Sequence, residues 1–96
     1  MNVIVELLDK KATLKVEGRL DTITAPDLEK KITELDINEL VLDLNKLDYI
    51  SSAGLRVILT AHKKFSKLQS MKVVNVKEAV MEVFNMTGFS DILNIE

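Results

Sequence analysis

The residues best able to do chemistry sit in one short stretch, Leu44-Asn45-Lys46-Leu47-Asp48-Tyr49-Ile50-Ser51-Ser52-Ala53-Gly54-Leu55-Arg56. Two adjacent hydroxyls, Ser51 and Ser52, follow a buried-looking run and open an amphipathic one. A serine so placed can cap a helix, accept a phosphoryl group or act as a nucleophile. Nucleophilic catalysis needs a base within hydrogen-bond reach, and the chain has a single histidine, His62. Ten residues along one helix place it about 15 Å from Ser52. His62 also falls on the apolar side of that helix, and no Gly-x-Ser-x-Gly is present. A hydrolase is therefore not expected.

Phosphoryl acceptance suits the position better. A phosphate at a helix start meets free N–H groups and the positive end of the dipole, so the fold tolerates it. The same added charge, about −1.5 to −2, would repel an acidic or phosphate-bearing partner site. Ala53 and Gly54 leave little side-chain cover at the helix entrance, which reads as room for a partner. Gly54 also costs about 1 kcal/mol against Ala inside a helix, so a reason for it is needed. Asp21, Asp43 and Asp48 fall near expected strand ends and could gather beside Ser52, although turn-forming and capping roles are the simpler expectation. A metal site made from them would offer oxygen ligands alone, weak and magnesium-like, and none is expected.

These side chains must be positioned by elements whose periodicity switches between two and 3.6. Residues 3–8 read as a strand and 9–11 as a hairpin turn. Over residues 12–20, Ala12, Leu14, Val16 and Gly18 alternate with Thr13, Lys15, Glu17 and Arg19, which predicts a half-buried strand. Thr24-Ala25-Pro26-Asp27 predicts a helix start with Thr24 as cap, Pro26 in the first turn and Asp27 completing a capping box. Leu28, Ile32 and Leu35 form the apolar stripe of that helix. Residues 39–44 suit a buried central strand and 45–51 a polar loop. A second helix is expected from Ser52 to about Leu68, with Leu55, Ile58, Leu59, His62, Phe65 and Leu68 on one side. A strand over 71–76 and a helix over 77–87 follow, with Gly88 as left-handed C-cap. Residues 89–95 close the chain as a short helix or strand. Met81, Met86, Phe84 and Phe89 gather around the last helix and read as core packing. The order β-β-α-β-α-β-α predicts one α/β domain over residues 1–96. Its sheet is mixed, with four to five strands and helices mainly on one face.

Bulk properties narrow the function classes. The chain has 96 residues, 47% apolar and 29% charged, with no cysteine, so disulfides and thiolate metal sites are excluded. A net charge of −2 and no basic stripe with interleaved aromatics argue against nucleic acid as a partner. No apolar run approaches a membrane span, and the N-terminus has no signal-peptide pattern. A cytoplasmic setting is expected. With no long exposed apolar stripe foreseen, a free monomer is expected too.

Leu47-Asp48-Tyr49-Ile50-Ser51-Ser52-Ala53-Gly54-Leu55 resembles the phosphoacceptor signature of STAS domains, in particular the stand-alone bacterial anti-sigma factor antagonists. Gly18-Arg19-Leu20-Asp21-Thr22-Ile23-Thr24-Ala25-Pro26 resembles the family's other marker, and Thr87-Gly88-Phe89 agrees as well. The resemblance spans essentially the whole chain. It implies a partner-switching cycle in which the unmodified protein binds a serine kinase that doubles as an anti-sigma factor, freeing the sigma factor. That kinase, with its own ATP and magnesium, phosphorylates and expels the antagonist, and a PP2C-type phosphatase resets it. The resemblance places the acceptor on Ser52, with Ser51 as rival. It places partner contacts on Asp21, Thr22, Asp48, Tyr49, Ile50, Ser51, Ser52, Ala53, Gly54 and Arg56. Ser51 stands where the family often has Asp, and Ala53 where it often has a second hydroxyl. Related modules also act as unphosphorylated docking subunits in stressosome-like or transporter-ATPase complexes, which is the alternative. With residue 3 already in the first expected strand, a sulfate-transporter fragment is not expected.

Overall fold

The computed structural model describes residues 1–65 and 70–96. Its order is β1 (Asn2–Leu8), β2 (Lys11–Leu20), α1 (Ala25–Glu34), β3 (Glu39–Asp43), β4 (Leu47–Ile50), α2 (Ser52–Phe65), β5 (Met71–Val74) and α3 (Glu78–Thr87), then a 3₁₀ turn, Phe89–Asp91. Sheet neighbours run β1-β2-β3-β5, with β4 also on β2. The β1–β2 hairpin is antiparallel, and the β2–β3, β2–β4 and β3–β5 pairs are parallel. The mixed sheet expected from the alternating elements is thus present, with one strand more than the predicted order contains.

That strand is β4, in the segment expected to be a loop. Its buried residues, Leu47 and Ile50, are three apart rather than two, so it carries no strand alternation to read. Its existence depends on β2, which is long enough to serve two partners along the edge opposite β1. Lys11 to Lys15 pair with β3, and Gly18, Arg19 and Leu20 pair with β4. Between them Gly18 adopts φ +92°, which glycine reaches without strain, and its N–H donates to the Lys46 carbonyl at 2.8 Å.

Register puts Ala12, Leu14, Val16, Leu40, Leu42, Met71 and Val73 on one face, all buried against the helices. Helix α1 contributes Leu28 and Ile32, and α2 contributes Leu55, Val57, Ile58, Ala61 and Phe65. Leu59 and His62, expected on the apolar side of α2, are only half-buried, and Leu68 lies outside the described residues. The opposite sheet face carries half-buried Thr13, Lys15, Glu17, Val41 and Asp43, with Lys15 paired to Glu6.

Other departures have local causes. No capping box forms at α1, because the Thr24 side chain turns back toward β2. Gly88 is the left-handed cap predicted, φ +81°. Phe84 is buried and stacks on Phe89 at 6.5 Å, but Met86, expected in that packing, is 86% exposed. β1 exposes Ile4, Val5, Leu7 and Leu8. Val5 and Leu7 pair with Leu14 and Ala12 on the helix side, so beyond β2 the helical cover reaches only Val3 of β1. This apolar edge removes the premise on which a monomer was expected.

Candidate functional site

β2 and β4 run parallel and end side by side, with Leu20 opposite Ile50. The Ser51 N–H donates to the Leu20 carbonyl at 2.9 Å, so both chains leave the sheet at one edge. One turns into the Asp21–Thr24 loop before α1, the other into the first turn of α2. The two sequence markers, about thirty residues apart in the chain, therefore meet.

The serines divide their roles. Ser51 caps α2: its Oγ accepts from the Gly54 N–H at 3.3 Å and its carbonyl accepts from Leu55 N–H at 2.9 Å. Ser52 is the first helical residue, exposed, and its hydroxyl has no hydrogen-bond partner among the described residues. The first turn of α2 holds no acidic residue, so its N-terminal dipole is uncompensated there.

Gly54 is buried, not open to a partner. A Cβ there would stand 2.8 Å from Leu20 Cγ, 2.9 Å from Ile50 Cγ1 and 3.0 Å from the Leu20 carbonyl oxygen. Its absent side chain lets α2 approach the strand ends, which offsets the helix-propensity cost. Ile50 is likewise buried. Both position the serines and present no contact surface, contrary to the expected contact set. Ala53 is half-buried, while Thr22, Asp48, Tyr49, Ser52 and Arg56 are exposed.

The carboxylates do not gather. Asp21 Oδ1 accepts from the Ile23 and Thr24 N–H groups at 3.0 and 3.1 Å. In return Thr24 Oγ1 accepts from the Asp21 N–H at 2.8 Å and donates to the Arg19 carbonyl at 2.9 Å. The Thr24 N–H foremost, then its hydroxyl, the Ile23 N–H and Arg19, hold the Asp21 carboxyl below the usual aspartate range against partial burial. Asp48 pairs with Lys77 at 2.6 Å. Asp43 accepts from Asn45 N–H and Asn75 Nδ2 as a turn carboxylate. Among the described residues no three acidic or histidine side chains are placed to hold a metal ion.

Two residues of the first marker, absent from the expected contact set, also belong to this edge. The Arg19 guanidinium lies 4.1 Å from the centroid of the Tyr49 ring and 3.8 Å from Asp21. Ile23 is 85% exposed on the neighbouring loop. The strand alternation that points Arg19 outward was available in the sequence. Its cross-strand neighbour was not, because β4 had no readable pattern.

Comparison with known proteins agrees with this geometry. BtrV of Bordetella bronchiseptica, provisionally described as an anti-sigma factor antagonist, is 35% identical over 99 residues, which cover 99% of this chain and 85% of the relative. An anti-sigma factor antagonist from Mycobacterium paratuberculosis superposes with a TM-score of 0.87 at 27% identity, covering 98% of this chain and 83% of that one. SpoIIAA in its unphosphorylated form and Bacillus SpoIIAA in its phosphorylated form superpose with TM-scores of 0.75 and 0.76 at 13% and 14% identity, a likeness of fold alone. These alignments cover 99% of this chain with 87% of the unphosphorylated SpoIIAA chain and 91% of the phosphorylated one. The STAS domain profile matches residues 2–96. With both markers meeting at one sheet edge and that match spanning the chain, the protein belongs to the STAS domain family.

Proposed function

We propose that the protein is an anti-sigma factor antagonist switched by phosphorylation of Ser52. Unmodified, it binds an anti-sigma factor serine kinase in the cytoplasm and so releases a sigma factor. That kinase supplies ATP and magnesium. The Ser52 oxygen takes the γ-phosphoryl group, its proton leaves, and ADP departs. A PP2C-type phosphatase returns the hydroxyl by hydrolysis. The chain supplies the acceptor and a docking edge built from Asp21, Thr22, Asp48, Tyr49, Ser52 and Arg56, with Ala53 and Ser51 between them.

The observation that carries this reading is the division between the serines. Ser51 is committed to the helix cap, whereas Ser52 is exposed and has no partner among the described residues to give up. The likeness to relatives described as anti-sigma factor antagonists supports the partner class. His62, the single histidine, is half-buried further along α2 and makes no hydrogen bond to Ser52.

The test is intact mass and peptide mapping of protein recovered from its own cells, with and without phosphatase. A single phosphoryl group on Ser52, retained in Ser51→Ala and lost in Ser52→Ala, is the expected result. Protein unmodified across growth conditions, and inert to the kinase and ATP, would move the assignment to an unphosphorylated docking subunit.

A further inference from the structure

We propose that Arg56 is the intramolecular receptor of the Ser52 phosphate, so that modification both adds charge and withdraws this guanidinium from the partner. The inference rests on the phosphorylation reading and concerns what the chain does with the phosphate.

Ser52 and Arg56 are one turn apart on α2 and both exposed. Residues at this spacing lie on one helix face with Cβ atoms about 6 Å apart. Helical side chains lean toward the N-terminus, so the long Arg56 side chain covers the turn in which Ser52 stands. An anion followed by a cation four residues later is the favourable order for such a pair.

The state of the neighbouring charges selects Arg56. The chain has two arginines, Arg19 and Arg56. Arg19 is taken up by the Tyr49 ring and Asp21, and Lys77 by Asp48. The Arg56 guanidinium has no partner among the described residues, and only its backbone carbonyl is used, by the Thr60 hydroxyl. No acid stands in the first turn of α2 to compete for it, whereas α1 has Asp27 and α3 has Glu78. A planar guanidinium can meet two phosphate oxygens at once, which a lysine cannot match. In the unmodified protein the same free cation is presented to the partner, where it suits an acidic or phosphate-bearing site. Phosphorylation therefore changes the docking edge twice with one bond.

The experiment uses the full chain with phosphoserine encoded at position 52, titrated by phosphorus NMR. The phosphate of the wild-type chain should take its second charge about 0.3 pH unit lower than in Arg56→Gln, the size of a helix pair at this spacing. Arg56→Lys should fall between, and Arg19→Gln should match wild type. Both arginines are exposed, so these variants keep the fold. An Arg56→Gln chain titrating with wild type, or an equal shift in Arg19→Gln, overturns the role of Arg56. Neither result depends on a cellular kinase. A Ser52 that is never phosphorylated in cells would overturn the switch and leave the titration standing.

Discussion

Ser51, Ser52 and Gly54 form one small machine in which each residue type has a distinct physical task. Ser51 satisfies the helix start, Ser52 bonds to none of the described residues, and Gly54 lets the helix sit tightly against Leu20 and Ile50. Gly54→Ala should lower stability by about 1–2 kcal/mol in urea unfolding, since overpacking outweighs the gain in helix propensity. A variant as stable as wild type would mean the strand ends yield without strain. Asp21 supports the opposite wall through its reciprocal bonds with Thr24. Its folded-state pKa lies below the unfolded one, so the clasp's contribution is complete above the unfolded value and declines as pH falls through the folded value. Carboxyl NMR should show Asp21 titrating below a free aspartate, with the midpoint moving upward in Thr24→Ala. A free-aspartate midpoint in the wild-type chain would show that the clasp is not formed in solution.

At the level of elements, β4 does the positioning. It is four residues long, yet it fixes where α2 begins and brings Tyr49 beside Arg19. Leu47 anchors it, fully buried. Leu47→Ala should cost about 3 kcal/mol through lost burial and the cavity left behind. The damage should also reach the site: hydrogen exchange at Ser51 and Gly54 should quicken more than at Leu14 in β2. Uniform quickening would assign β4 only a general part in the core. The free end of α2 adds a contrast in design, because α1 and α3 carry an acid in their first turns and α2 does not. An anion added to that turn would meet a dipole that no side chain there offsets.

For the whole molecule, Ser52 lies outside the core, so fold and binding should respond separately to charge placed there. Ser52→Asp places an anion in the first turn of α2, which should raise stability by about 0.5 kcal/mol. The same variant should bind the anti-sigma factor on the order of tenfold more weakly or worse, and Ser52→Ala should bind as tightly as the unmodified chain. Isothermal titration and thermal unfolding on the same samples test both halves. An Asp variant that binds normally would remove repulsion as the basis of the switch. No helix among the described residues is long and apolar enough to cross a membrane, and a phosphate on Ser52 would make the net charge of −2 more negative.

Local pattern alone determined most elements, because burial of one face writes period two or 3.6 into the chain: the alternation of Ala12, Leu14 and Val16, the stripe of Leu28 and Ile32, and Gly88 as a cap. It also determined that a serine opens α2, since capping chemistry acts over four residues. Which serine is free was decided by tertiary structure, through the Ser51 N–H bond to the Leu20 carbonyl and the packing of Gly54 against Leu20. So were β4, the pairing of Arg19 with Tyr49, and the inward place of Ile50 and Gly54. These depend on contacts between residues about thirty positions apart, where no local period exists to record them. The exposed edge of β1 belongs with them: its near-continuous apolar run is that of a buried strand, and only the extent of the helical layer leaves Val5 and Leu7 uncovered.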